Sequence, residues 1–179
     1  MDEAGRGPWA GPVVAGAVIL PGRRQFPGLT DSKKLTEAKR EKLYQLITEK
    51  AIWGVGQASH EEIDEHGLTW ATNLAFQRAL DGLSTTPEHL MIDGRDKFTL
   101  SVEYTSIIKG DLKIRCISAA SIIAKVTRDR IMNEWALKHP EYRFNEHKGY
   151  GTREHARLLK KHGASPIHRK SYCPVRKVL

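Results

Sequence analysis

The chain is poor in the features that would mark a stapled, metal-knotted or membrane-spanning protein. Only Cys116 and Cys173 are cysteines in 179 residues, far apart and in no zinc spacing. They read as reduced thiols of a cytoplasmic protein rather than as a disulfide. No apolar run approaches the ~20 residues of a membrane span, and no basic flank leads into an apolar core at the N-terminus, so neither a span nor a signal peptide is expected. The eight histidines form no H-E-x-x-H pattern. Ser118 and Ser121 do not stand in S-x-x-K spacing before Lys125, which leaves serine acylation unsupported. Internal repeats and low-complexity linkers are missing too. Acidic residues are the minority charge, 21 against 29 Lys+Arg, giving +8 and a pI near 9.6. That balance points to a polyanionic partner, nucleic acid first. The basic residues fall in small clusters (Arg23-Arg24, Lys33-Lys34, Lys109/Lys113/Arg115, Lys125/Arg128/Arg130, Lys160-Lys161, Arg169-Lys170, Arg176-Lys177), as a folded surface would carry them.

What is present is concentrated at the start. Asp2 and Glu3 are followed at once by Gly5-Arg6-Gly7, then by Pro8, Gly11 and Pro12. Adjacent carboxylates beside a cationic glycine turn suggest a site that holds metal ions next to a phosphate. Gly5–Ala10 also fits G-x-G-x-x-A, but a dinucleotide fingerprint needs a full strand before it and a helix after it. Here only four residues precede it and a strand-like run follows.

The rest of the chain reads as one α/β domain spanning 1–179. Residues 1–4 form a strand stub, and 13–20, nearly all apolar, a strand buried on both faces. A helix over 36–50 puts Leu43, Leu46 and Ile47 on one face, and a strand follows at 52–58. Helices are expected at 60–65 and 69–83, short strands at 90–92 and 102–108, and a long helix at 117–139. A polar loop over 140–151, a helix over 152–162 and an irregular tail complete a mainly helical C-terminal part. The tryptophans and the apolar residues at helical spacing are expected in the core, His147 at the surface.

Asp2, Glu3, Asp93 and Asp111 each sit in or just after a predicted strand, where α/β proteins build sites. Carboxylates gathered there would repel unless cations sat between them. Oxygen ligands without His or Cys suit Mg²⁺ or Mn²⁺, and two such ions can hold the attacking water and leaving oxygen of a phosphodiester in line. Each aspartate alone is as readily a cap or turn former. Neighbours on a regular strand also point to opposite faces, so Asp2 and Glu3 share a site only if the chain twists.

With these residues in view the chain resembles the prokaryotic type 2 ribonucleases H. The likeness runs through Asp2–Pro12 (DEAGRGPWAGP), 13–20, Asp31–Leu35 (DSKKL), Asp93-Gly94, Lys109-Gly110-Asp111, Ser118–Asp129 (SAASIIAKVTRD), His147–Thr152 (HKGYGT) and His168–Val175 (HRKSYCPV). It implies a ribonuclease H-like mixed sheet flanked by helices, with a helical C-terminal part at about 140–179. It implies an endonuclease that cuts the RNA strand of RNA/DNA hybrids and incises 5′ of single ribonucleotides in duplex DNA, as in ribonucleotide excision repair. Products carry a 3′-hydroxyl and a 5′-phosphate. By position, Asp2, Glu3, Asp93 and Asp111 match the family's metal-binding acids. Gly5, Arg6 and Gly7 match its backbone clamp on the ribonucleotide 2′-hydroxyl, and Tyr150 matches the tyrosine under the junction sugar.

Physical chemistry supports those roles without deciding them. The 2′-hydroxyl is what distinguishes RNA from DNA, glycines allow close backbone approach, and Arg6 can meet a phosphate with two hydrogen bonds. Tyr150 is as readily a core tyrosine. Lys33 and Lys34 are phosphate contacts or a structural turn. Asp129 matches the helix motif but has Lys125 at i−4, and pairing with it is the default reading. Two alternatives stay open: a type 3 ribonuclease H, which usually carries an extra N-terminal domain and a lysine in the glycine turn, and a basic nucleic-acid-binding fragment without catalysis. A monomer is the default. In the family a few apolar residues precede the acidic pair, so the first strand is expected to be truncated here and the protein less stable than its relatives.

Overall fold

The computed structural model, which describes residues 1–22 and 26–179, places the apolar run after Pro12 at the centre of the molecule. Arg23, Arg24 and the basic cluster assigned to them lie outside the described residues. Strand β2 (Val13–Ile19) is the middle of a three-stranded antiparallel sheet, between β1 (Asp2–Ala4) and β3 (Ile52–Ala58). Asp2 pairs with Gly16 and Glu3 with Ala15, while Gly16 pairs with Val55 on the other side.

Both faces of β2 are covered, which is why its sequence does not alternate. Val13, Ala15 and Ala17 pack with Ala71, Ala75, Phe76 and Ala79 of helix α3 (Leu68–Asp81). Val18 packs on the other face with Ala119, Ala120, Ile122 and Ile123 of helix α5 (Arg115–Lys138), alongside Leu43 and Ile47 of α1 (Glu37–Lys50). The alanines at the start of α5 let it lie close to the sheet. At Gly16 a methyl group would stand 2.5 Å from the Ala120 carbonyl oxygen, so glycine is what allows the contact. Burying each large apolar side chain here contributes roughly 1.5–3 kcal/mol.

Local signals set the helix starts. Thr36 caps α1 by accepting from Lys39 N–H, and Ser59 with Glu62 forms a capping box on α2 (His60–His66). Strands β4 (Leu90–Asp93) and β5 (Tyr104–Ile107) pair in parallel as a separate two-stranded sheet. The mixed sheet therefore consists of an antiparallel and a parallel part. They meet where Asp93 N–H donates to Met1 O at 3.1 Å and the Met1 ammonium donates to Met91 O at 2.6 Å.

Several expectations need correction. A separate turn of helix, α4 (Gly110–Lys113), precedes the long helix, which begins at Arg115 rather than 117. The stretch 140–151 is not simply a loop. It holds a 3₁₀ turn (Pro140–Tyr142) and helix α6 (Phe144–His147), because Tyr142 and Phe144 stack, ring centroids 5.3 Å apart, over a third apolar cluster with Ala10, Met132 and Ile167. After α7 (Arg153–His162), the tail includes a short helix α8 (Cys173–Arg176) and is tied to α2 by Asp64, which accepts from the Lys170 and Ser171 amides. Trp70 is 45% exposed instead of core, and its ring lies 4.2 Å from that of His66. Among the described residues no helix is long and apolar enough to cross a membrane. Both cysteines are free.

Candidate active site

Three elements that are distant in sequence deliver one carboxylate each. Asp2 comes from β1, Asp93 from the end of β4 and Asp111 from the first turn of α4. Each offers an oxygen within 4.8 Å of the others, and Asp2 and Asp111 are both 5% exposed. The scaffold holds them tightly. Asp93 accepts from Gly110 N–H at 2.6 Å, and Ser118 Oγ donates to the Asp111 carbonyl at 2.6 Å. Burial, reinforced by Glu3 and Asp93, pushes the Asp2 carboxyl well above the usual carboxylate range. Burial, with Asp93 and Asp31, also raises Asp111, against the pull of Lys33. Lys33 Nζ stands 3.7 Å from Asp111 Oδ2.

Three carboxylates gathered this closely, two of them buried and with raised pKa values, face only Lys33 and the Met1 ammonium as near cations and are under-neutralised. The donor set fits a hard divalent cation, and Asp2, Asp93 and Asp111 would hold it. Glu3 is not in that set. Its backbone partner is Ala15, the strand runs regularly, and its side chain turns towards Arg6, 3.7 Å away. Burial raises its pKa and Arg6 opposes the shift. Arg6 is also paired with Asp96, a residue with no distinguishing sequence context.

A cleft of about 200 Å³ opens beside this cluster. Asp2, Glu3, the Gly5-Arg6-Gly7 turn, Lys33, Lys125 and Tyr150 line it. Tyr150 is 41% exposed, so it is not a core tyrosine. Lys34 is exposed on the same 3₁₀ turn as Lys33 (Ser32–Lys34), whose N-cap Asp31 accepts from Lys33 N–H. Asp129 lies outside the acidic cluster and pairs with Lys125 at 2.7 Å.

The glycine turn is gripped from behind by two arginines that sequence reasoning had placed on the surface. Arg128 and Arg169 are fully buried. Arg169 donates to the carbonyls of Gly5 (2.5 Å), Arg6 (3.0 Å) and Gly11 (3.0 Å). Arg128 donates to Pro12 O (3.1 Å) and Ala10 O (3.2 Å). With φ of +99°, Gly5 occupies a conformation that side chains rarely adopt, and a methyl group there would meet Arg128 Nε at 2.2 Å. Burial lowers both guanidinium pKa values, Arg128 to about 10. The only sequence signal for this role was proximity of both arginines to recognisable motifs. His147 is also corrected. It is buried, with Nε2 2.8 Å from Tyr142 O and Nδ1 accepting from Gly149 N–H, because the 147–150 turn folds inward over Phe144.

A hollow of about 250 Å³ lies elsewhere, bounded by Val18, Leu20, Leu83 and Met91, and it gathers none of these groups.

Comparison with known proteins agrees with this geometry. A sequence profile described as Ribonuclease HII matches residues 1–175. The ribonuclease HII of Desulfitobacterium hafniense (strain DSM 10664 / DCB-2) is 53% identical over 180 residues, covering all of this chain and 69% of that protein. That of Idiomarina loihiensis is 50% identical, covering 99% of this chain and 96% of the relative. The crystal structure of ribonuclease H2 from Pyrococcus horikoshii OT3 superposes with a TM-score of 0.82 at 30% identity, over 99% of this chain and 94% of that one. With an acidic cluster, a glycine turn and the profile match running through the same residues, the chain belongs to the ribonuclease HII family of RNA/DNA-hybrid endoribonucleases.

Proposed function

We propose that the protein incises duplex DNA on the 5′ side of a single embedded ribonucleotide, as well as cutting the RNA strand of longer hybrids. Water attacks the phosphorus, the bond to the 3′-oxygen breaks, and the products carry a 3′-hydroxyl and a 5′-phosphate. The observation that carries the reading is that one cleft joins the edge of an under-neutralised carboxylate cluster to a glycine turn whose Gly5 and Arg6 carbonyls are held from behind by Arg169. With Gly5 O and Arg6 O committed to Arg169, the front of the turn is left for a sugar hydroxyl. A ribose 2′-hydroxyl placed there distinguishes RNA from DNA without reading a base.

Asp2, Asp93 and Asp111 hold the divalent cation, with Glu3 at the edge of the site between them and Arg6. Mg²⁺ or Mn²⁺, one ion or a pair, supplies charge stabilisation at the phosphate and a more acidic water. Arg6, Lys33 and Lys34 meet phosphates, which makes binding weaken with salt. Tyr150 presents its ring to the sugar on the DNA side of the junction. Lys125 and Arg128 lie 6.0 and 5.6 Å from the centre of that ring and hold it in place.

The test is cleavage, with Mg²⁺, of a duplex containing one ribonucleotide beside a hybrid with a long RNA tract. Incision of both, 5′ of the lone ribonucleotide, is expected. Cleavage of the long tract alone would refute the junction reading, and binding without cleavage would refute catalysis.

A further inference from the structure

The Tyr150 wall of the cleft is backed by histidines that the proposed chemistry does not use. His155 and His168 have no exposed surface at all, and His147 is nearly as buried. The His147 and His155 rings stack with centroids 4.2 Å apart and planes 11° from parallel. His155 Nε2 lies 2.9 Å from His168 Nε2. Among the described residues, no carboxylate hydrogen-bonds to any of the three.

The direction of the hydrogen bonds follows from one end. His155 Nδ1 is 2.9 Å from the Tyr150 carbonyl oxygen, which can only accept, so Nδ1 carries the proton. In a neutral ring Nε2 is then bare and accepts from His168 Nε2–H. That leaves His168 Nδ1 bare, and Ser165 N–H donates to it at 2.8 Å. Each link agrees with the next, and every ring stays uncharged.

The backbone of the same segment reaches the other wall. His168 bridges Ala10, Gly11 N–H donates to Ile167 O at 2.9 Å, and Arg169 N–H donates to Trp9 O at 2.8 Å. On the far side, Trp9 N–H donates to Gly149 O at 2.8 Å and Tyr150 N–H to His147 O at 2.9 Å. His168 therefore holds the chain just beyond the glycine turn with its main chain and, through His155, the Tyr150 main chain with its ring.

We propose that His155 and His168 are positioning residues, whose one-directional chain of neutral hydrogen bonds fixes Tyr150 against the Gly5–Gly7 turn and so sets the gap in which the junction sugar is recognised. This rests on the role given to Tyr150 above. Neither histidine touches substrate. Their rings act on the chemistry through Tyr150, whose carbonyl His155 holds, so removing Tyr150's ring should remove most of their effect on chemistry.

The experiment is a double-mutant cycle on single-ribonucleotide incision, with kcat and KM measured separately. His155→Leu should lower kcat by about tenfold or more, since an ångström of misplacement can matter that much, with KM little changed. In a Tyr150→Ala background the same substitution should produce little further fall. His155→Asn, whose amide can still donate to Tyr150 O, should recover much of the loss. Equal losses in both backgrounds, or an asparagine variant no better than leucine, would overturn the proposal. If His155→Leu does not fold, the wild-type protein decides. Imidazole ¹⁵N shifts should show the Nδ1–H form at His155 and the Nε2–H form at His168, and the reversed forms overturn the chain by themselves. Undiminished incision by Tyr150→Ala would instead remove the role of Tyr150 and this proposal together.

Discussion

Beside the cleft, Asp2, Asp93 and Asp111 crowd within 4.8 Å, with Lys33 and the Met1 ammonium as nearby cations. Behind its walls, Arg128, Arg169, His155 and His168 are buried at least as deeply. There the polar atoms are spoken for by carbonyls, by one another and by Ser165, except Arg128 Nη1, whose guanidinium lies 5.6 Å from the Tyr150 ring centre. The first region concentrates like charge and is incomplete without a cation. The second is satisfied apart from that one guanidinium nitrogen. Burial of polar groups thus serves two ends in one small protein: it stores unfavourable electrostatics where a cation and phosphate are to bind, and it builds rigidity where a loop must not move. Substitutions should separate the two, because neutralising the first relieves repulsion while breaking the second leaves buried carbonyls without donors.

The largest effect is expected at Asp93. Asp93→Asn keeps an oxygen for Gly110 N–H but removes a charge from the cluster. Cleavage should fall by several orders of magnitude while hybrid binding survives, and the melting temperature without metal should not drop. A wild-type rate would remove Asp93 from the site. Arg169→Met should show the reverse pattern. The Gly5 and Gly11 carbonyls lose their Arg169 donor while Arg6 O keeps only Tyr172 OH, a loss of roughly 3 kcal/mol in stability. Activity should then track the folded fraction across all substrates. An unchanged melting temperature would mean that the turn does not depend on Arg169, and the contrast between the two regions would fail there.

A smaller and reversible effect should come from metal alone. Adding Mg²⁺ or Mn²⁺ to chelator-treated protein should raise the melting temperature, by about 2.7 kcal/mol of stability at a hundredfold excess over Kd. Asp111→Asn should blunt that shift, and His155→Asn should leave it intact. No shift in the wild type would refute the acidic cluster as a cation site.

The two regions also differ in how far the sequence revealed them. Asp2, Asp93 and Asp111 could be nominated because carboxylates at strand ends have a recognisable context, although nothing in the spacing could show that Glu3 would turn aside to Arg6. Glu3 still lines the same cleft as Asp2 and feels the charge of Asp93, although its carboxylate lies towards Arg6. Strand β2 and the long helix were legible from their apolar pattern, since both faces of that strand are covered. Arg128 and Arg169 were not legible as interior residues. Arginine is read as surface unless its partners are known, and their partners are carbonyls supplied from more than a hundred residues away. His147 was misplaced for the same reason. A histidine satisfied by main-chain atoms of its own turn leaves no partner residue to find in the sequence.

The smallest expected effect, and the one that compares the regions within a single protein, is the pH dependence of stability. Burial raises the Asp2, Glu3 and Asp111 carboxyls. For groups raised on folding, the metal-free protein holds their stability at low pH and loses it as pH climbs through the raised values. The histidines have the opposite sign. Burial takes His155 from its ordinary 6.5 down to about 4 and His168 to about 3, with His147 lowered too and adding like charge when protonated. Their stability is complete above pH 6.5 and is lost as pH falls through those lowered values. Metal-free protein should therefore lose melting temperature in both directions. Saturating Mg²⁺ should remove the loss on the alkaline side, because the cation offsets the carboxylates, and leave the acid side unchanged. His155→Asn should flatten the acid side and leave the metal effect intact. A metal-dependent acid limb would show that the two regions titrate as one unit, and the division between a charged site and a neutral frame would have to be abandoned.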